Sequence, residues 1–460
     1  MSNSTGSPGE KVSGFKDWTS GSVTKNLLQL SWPAILLTAL YSVNLLLEMI
    51  WVGKLGPASI AGIGVGGIMV LLVLAIKNGL SIGERAMVAR YVGAGDMPSA
   101  NRITGQSYLI SAVYSLLIAL IGVFCGRQLF GLFGLEPDAV SEGVKYLQIV
   151  TAGWVTEAFW MTSFAVMQAS GDTMTPLKIA IVIRLFNAVL CPFMVLGWWI
   201  FPALGVTGAA ITYISTTGLG MLICFWVLFS GKTRLQLTIR DFYPNLNTIW
   251  RILKIGLPAS VSGLGKALGD LILTSLMVPF GTVPLAAHNL LARIESFVNT
   301  PGIGLGTGAG VLVGQNLGAR KPEQAAKSGW LAMLLVLGFM AVCSVILLIW
   351  AENIISLFNS DPELVKTGGT FLRIAVAGYL AMSVVIVLQN SVTGAGDTLV
   401  PMLVMLTMMW LVQLPLAFIL SRYTALGAFG VRWAVAASFI AAAIAYLIYF
   451  RAGRWQRKRL

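Results

Sequence analysis

The sequence predicts an all-α polytopic membrane protein, with twelve transmembrane helices in two pseudo-symmetric six-helix lobes around a central cavity. Three observations carry that prediction. Only 11% of the 460 residues are charged and 57% are hydrophobic, whereas a soluble globular domain carries about 25% charged residues. The apolar runs are long enough to cross a bilayer core of about 30 Å. The chain also repeats its own punctuation. Leu30-Ser31-Trp32-Pro33-Ala34 returns as Ile255-Gly256-Leu257-Pro258-Ala259, Leu55-Gly56 as Phe280-Gly281, and Val92-Gly93-Ala94 as Leu317-Gly318-Ala319. Gly171-Asp172-Thr173 before Pro176 returns as Gly396-Asp397-Thr398 before Pro401. One offset, 225 residues, relates every pair, and a constant offset over such a length marks two homologous halves.

A lipid-exposed segment must satisfy its own backbone hydrogen bonds, so the apolar runs are helices. They are too uniformly apolar for the alternating strands of an outer-membrane barrel. In the first half they cover 27–51, 58–80, 103–126, 146–170, 177–200 and 206–229. In the second they cover 252–278, 284–312, 328–350, 368–393, 401–420 and 430–450. The chain thus divides into a polar cytoplasmic leader, 1–26, and a first lobe, 27–229. A cytoplasmic linker, 230–251, a second lobe, 252–450, and a basic tail, 451–460, complete it. Pro33 and Pro258 kink or set the start of each half's first helix. Asp172 and Asp397 end the fourth helices and can cap the fifth, which Pro176 and Pro401 open. Glycines 62, 64, 66 and 67, and 302, 304, 306, 308 and 310, let helices approach closely.

With the N-terminus cytoplasmic, the leader, even-numbered connections and tail carry 21 Lys or Arg, counting Lys77, Lys178 and Lys254 at the adjoining span ends, and the opposite side carries six, counting Arg432. That bias places both ends in the cytoplasm and the protein in the cytoplasmic (inner) membrane. It also assigns the net charge of +13 to topology and lipid headgroups instead of nucleic acid. An even span count per half makes the lobes parallel, related by an axis along the membrane normal, an arrangement suited to alternating access. No Walker motif, metal-ligand spacing or second histidine is present, so the reading is a non-enzyme without a cofactor. The four cysteines read as buried small hydrophobes.

Charges within apolar segments are costly and mark functional or pairing sites. Glu48 in span one, Glu157 in span four, and Arg184 with Asn187 in span five compose a first-lobe pocket. It serves ion coupling or purely structural pairing, and Glu48 is where a sodium ion would gather oxygen ligands. Trp154 and Trp160 flank Glu157 and add aromatic faces for a cation. In the second half Lys266 and Asp270 stand one helical turn apart and pair. Arg293 and Glu295, two apart, need other partners. His288, Arg373, Gln389 and Asn390 complete the cavity or gate candidates. Glu84 and Arg85, at the end of span two, are either gate residues or ordinary interfacial ones.

The stretches Glu48-Met49-Ile50-Trp51-Val52-Gly53-Lys54-Leu55-Gly56, Val92-Gly93-Ala94-Gly95-Asp96 and Pro301-Gly302-Ile303-Gly304-Leu305-Gly306 stand in this frame with Val313-Gly314-Gln315-Asn316-Leu317-Gly318-Ala319-Arg320 and Gly394-Ala395-Gly396-Asp397-Thr398. Through them the chain resembles the multidrug and toxic compound extrusion (MATE) transporters over essentially all its length after the leader. The resemblance implies a V-shaped secondary transporter that expels amphipathic, often cationic, compounds against inward H+ or Na+ flow. In many members an acid stands five residues before the glycine matched by Gly53, where this chain has Glu48. NorM-type members use acids in spans seven and ten; here Asp270 is the only span-seven acid, with no fixed place on that pattern, and span ten has none. The span-five acid of DinF-type members is not reproduced, since this chain has Arg184 and Asn187 there, so the subgroup stays open. The expected partners are a small organic substrate and membrane lipids, with the chain monomeric. The alternative is a flippase for a lipid-linked or other anionic amphiphile, which would need Arg184, Lys266, Arg293 and Arg373 to converge in the cavity. Glu48 matches Leu273 and Glu157 matches Met382 across the repeat. The first lobe is therefore expected to hold the coupling site and the second to act as its moving counterpart.

Overall fold

The computed structural model describes residues 16–131, 133–134, 136–198 and 202–458, without the side chains of 42–49, 52, 57 and 58. Twelve spans run in order. The first half has α1 (Val23–Val52), α2 (Pro57–Gly93), α3 (Met97–Gly131), α4 (Pro137–Ala152 and Trp154–Ser170), α5 (Met174–Leu196) and α6 (Gly205–Phe229). The second has α7 (Leu246–Met277), α8 (Thr282–Gly318), α9 (Pro322–Ile349), α10 (Pro362–Gly394), α11 (Leu399–Tyr423 in three pieces) and α12 (Ala428–Ala452). Among the described residues nine helices meet the length and hydropathy of a membrane span. The other three spans are α1, the two-piece α4 and α8.

The helix ends follow local chemistry. Proline opens α2, α9 and α10 at the first turn, where its missing N–H costs nothing. Asn245 caps α7 by accepting from the Thr248 N–H at 2.9 Å. Asp361 caps α10 by accepting from the Glu363 N–H at 2.9 Å. The repeat extends to backbone angles. Gly56 and Gly281 precede α2 and α8 with φ of 103° and 96°, and Gly171 and Gly396 follow α4 and α10 with φ of 93° and 87°.

Most helices run several residues beyond their sequence boundaries, and three spans depart further. The α2 helix continues to Gly93 instead of stopping at 80, because Lys77 and Glu84 satisfy each other inside the lobe. Expected as one rod, α4 breaks at Gly153, where a Cβ would lie 2.4 Å from the Ile214 side chain. Within α11, residues Thr407–Gln413 form a π-helical segment ahead of Pro415. There the Trp410 indole N–H reaches the Gly265 carbonyl at 3.3 Å.

The lobes meet through α1 against α8 and α2 against α7. A Cβ on Gly79 would lie 2.1 Å from the Ser260 nitrogen, and one on Gly304 2.7 Å from the Ile35 nitrogen. A Cβ on Gly93 would meet the Gln315 carbonyl at 2.0 Å, and one on Gly318 the Arg90 carbonyl at 2.0 Å. Each contact is the 225-residue image of its partner, so the lobes are related by a two-fold axis running along the helices. The first helices also reach across. Leu27 and Leu30 of α1 lie in a core built from α8, α9, α10 and α12. Their images, Ile252 and Ile255 of α7, lie in a core built from α2 to α6.

These contacts gather at the end bearing both described termini, where the Gln315 amide donates to the Ala169 carbonyl at 2.8 Å and Arg251 to the Tyr91 hydroxyl at 2.9 Å. The tail closes over the same end. Trp455 is buried and stacked on Phe450. The Lys458 ammonium pairs with Asp397 at 3.1 Å, while Arg90 of α2 donates to the Lys458 carbonyl at 2.9 Å. Toward the other end α7 and α8 expose Lys266, Asp270, Arg293 and Phe297.

Candidate functional site

The first lobe holds a polar core. Lys77, Ser81 and Glu84 fall on one face of α2, at spacings of four and three. The fully buried Lys77 ammonium donates to Ser81 Oγ at 3.0 Å, Glu84 Oε1 at 2.8 Å and Thr162 Oγ1 of α4 at 3.0 Å. Thr162 is bonded in turn to Ser111 of α3 at 2.8 Å. One helix position away, Tyr108 and Ser163 share a 2.7 Å hydrogen bond. All three ammonium protons are placed, which is what a charge removed from water requires.

Glu157 belongs to the same core. Its side chain is buried, with Arg184, Tyr213 and Lys77 as its polar neighbours. Its Oε2 has no hydrogen-bond partner among the described residues. Arg184 also lies over the Tyr41 ring at 5.4 Å. One turn on, Asn187 donates to Thr216 at 3.1 Å. Glu157 and Arg184 are thus neighbours within the first lobe, with Asn187 one turn from Arg184. The Glu48 side chain lies outside the described residues, and so does any sodium site built on it.

Other candidates are placed differently. Trp154 and Trp160 are buried inside the first lobe, in separate apolar cores, and do not line the cleft. Glu84 is a buried ion-pair member and not an interfacial residue. Asp172 accepts from the Thr175 N–H at 3.0 Å, as a cap does. Its image Asp397 instead binds Lys458 and the Tyr449 hydroxyl, at 2.5 Å for the latter.

In the second lobe Lys266 and Asp270 pair at 2.6 Å with both side chains more than half exposed. Such a pair contributes little to stability. Glu295 pairs with Arg432 of α12, which is buried. His288 is buried near Arg432, and its Nδ1 has no partner among the described residues. Arg293 is exposed on α8. Arg373 pairs with Glu352 at 2.9 Å. Gln389 and Asn390 are half-buried, and the Asn390 amide donates to the Ile386 carbonyl at 2.8 Å. Asn390 also lines a small pocket between the lobes with Arg85, Thr307 and Gly394, about 10 Å³ in volume, roughly the room of one water. Arg184, Lys266 and Arg373 thus each sit beside a separate acid. Among the described residues no group of three or more His, Cys, Asp or Glu could hold a metal ion.

Lys77 and Arg432 were missed by sequence reasoning, because charge counting assigned both to loops. The spacing of Lys77, Ser81 and Glu84 was a usable signal, since it repeats as a helix face does. Arg432 had no comparable signal.

Comparison with known proteins agrees with this architecture. The MatE family model matches twice, over residues 33–193 and 258–419, once in each half. The chain is 24% identical over 440 residues to "Probable multidrug resistance protein NorM" of Thermotoga maritima, covering 95% of this chain and 94% of that protein. It is 26% identical over 451 residues to "Probable multidrug resistance protein YpnP" of Bacillus subtilis, covering 96% and 98%. Among solved structures, a mutant of the Vibrio cholerae MATE transporter VcmN superposes with a TM-score of 0.88 at 23% identity, covering 96% of this chain and all of that one. A structure described as an outward-facing MATE family transporter gives 0.88 at 23% identity, over 95% and 96%. With the family model matched over most of its length and the twelve-span frame in place, the chain belongs to the MatE family of membrane transporters.

Proposed function

We propose that the protein exports amphipathic, cationic organic compounds across the cytoplasmic membrane by alternating access, coupled to inward flow of H+ or Na+. Both termini are cytoplasmic, the chain works as a monomer, and the bodies that rock are the lobes 27–229 and 252–450. The observation that carries this reading is the buried Glu157, beside Arg184 and Lys77, in a lobe joined to its image by a reciprocal two-fold contact. A carboxylate that exchanges partners inside one lobe can bias the equilibrium between two packings of that lobe against the other. The relatives named for multidrug resistance support the class of cargo. An anionic cargo is less favoured, because three of the four cations that would recognise it are already beside acids.

The test is efflux of a fluorescent cation from proteoliposomes under an imposed ion gradient. Replacing Glu157 by Gln should lower gradient-driven export by about tenfold or more while leaving gradient-free equilibration in place. Full gradient-driven export by the Glu157→Gln variant would remove Glu157 from the coupling site. The same measurement on Glu48→Gln addresses the acid in α1.

A further inference from the structure

Glu84 has no part in the reading above, and Lys77 enters it only as a neighbour of Glu157. Both side chains are fully buried, 2.8 Å apart. The ammonium is saturated by Ser81, Glu84 and Thr162, but the carboxylate is not. Glu84 Oε2 is buried and has no hydrogen-bond partner among the described residues. The same holds for Oε2 of Glu157, on which Lys77 also acts. The ammonium is tethered to one carboxylate and stands near a second, and among the described residues each carboxylate has one buried oxygen without a hydrogen-bond partner. A buried ion pair is not required for stability, since well-packed neutral side chains often serve as well. A buried acid and a buried base within one membrane-spanning helix mark a functional or pairing site.

We infer that Glu84 is a further proton-binding site of the transport cycle, with Lys77 as its built-in counter-cation, so that the coupling ion is the proton. The inference rests on the ion-coupled efflux reading. A proton that adds to Glu84 Oε2 forms an O–H bond and cancels the carboxylate charge. Lys77 then loses its counter-charge at Glu84 and keeps its hydrogen bonds to Ser81 and Thr162. Loss of the proton restores the Lys77–Glu84 pair. One proton is bound and one released. Sodium does not suit this site. The Glu84 carboxylate is already paired with an ammonium that cannot leave, whereas an alkali ion needs several oxygen ligands of its own.

Other ionisable groups face the pair. Arg85 stands next to Glu84 on α2, Tyr108 faces it from α3, and Cys224 of α6 lies beside Tyr108. Glu157 approaches from α4, with Arg184 of α5 behind it. From α7, the uncharged Ser260 donates to the Ile76 carbonyl at 2.7 Å.

The deciding experiment follows ethidium export from proteoliposomes under a pH gradient or a sodium gradient. Wild-type protein should export under the pH gradient, while a sodium gradient alone should drive about tenfold less. The Lys77→Met/Glu84→Gln double variant should keep the wild-type melting temperature, because the pair is replaced by neutral groups of similar volume, yet lose pH-driven export by about tenfold or more. Sodium-driven export as strong as proton-driven export would overturn the inference. So would a folded double variant with wild-type export and an unchanged pH profile. If the double variant does not fold, Glu84→Asp decides, since a displaced pH profile supports the site and an unchanged profile overturns it. Wild-type protein that exports under neither gradient would overturn the efflux reading itself, and this inference with it.

Discussion

Arg320 is the only non-glycine residue with positive φ among the described residues, at 59°. It stands 225 positions after Gly95, whose φ is 79°. The duplicated turn demands a left-handed backbone at both places, and the second half meets the demand with a side chain. A left-handed L-residue is strained by about 1–2 kcal/mol, and the exposed Arg320 has no burial to offset it. Arg320→Gly should therefore stabilise the protein by about 1 kcal/mol, and a thermal melt no higher than the wild type would contradict this. Residue-scale chemistry was unevenly legible. Glu157 and Arg184 stood out as charges in apolar runs, and Lys266 and Asp270 announced their pairing by spacing. Lys77 did not, because a lysine near the end of an apolar run looks like an interfacial anchor until the helix is known to continue. The pairing of Glu295 with Arg432 joins residues 137 apart, which spacing within one helix cannot reveal.

Elements were more legible than their boundaries. Twelve apolar runs became twelve spans, since a chain this poor in charge has few other ways to satisfy its backbone in lipid. The ends moved where side chains from other elements replaced water. Lys77 and Glu84 neutralise each other, so α2 runs three turns beyond its apolar stretch. The break in α4 at Gly153 and the π segment of α11 answer to neighbours, Ile214 and Gly265, far away in sequence. The close approach of α2 to α7 depends on Gly79. Adding a methyl there sets a Cβ 2.1 Å from a backbone nitrogen of the other lobe, and overpacking of this kind costs about 1–3 kcal/mol. Gly79→Ala should lower the melting temperature and raise cysteine labelling at positions along the α2–α7 seam. Gly304→Ala should do the same along the α1–α8 seam, and an effect at one seam alone would contradict their equivalence.

At the scale of the whole molecule, the repeat predicted parallel lobes, and the reciprocal contacts between them have that symmetry. What the repeat did not disclose is where the symmetry fails. Where the first half has Thr233, the tail has Lys458, which turns Asp397 from a cap into an anchor tied to α2 through Arg90. The second lobe, expected to be the quieter partner, contains its own buried arginine at Arg432. Deleting residues 454–460 removes the tie between Arg90 and Asp397. A half-exposed ion pair contributes up to about 1 kcal/mol, so the closed end should open several-fold more often, read as the rate of thiol labelling beside Arg90. An unchanged rate would show that the tail plays no part in closing that end.

The exchange of first helices gives the chain the logic of a homodimer folded from a single thread. Position i of one half touches position j of the other, and j touches i, which defines an isologous surface. Each half carries the apolar plug that completes its neighbour's core, so neither half buries its own interior alone. Any motion that parts the lobes must therefore pivot about the plugs at Leu27, Leu30, Ile252 and Ile255 without withdrawing them, and that confines the movement to rotation about a retained joint.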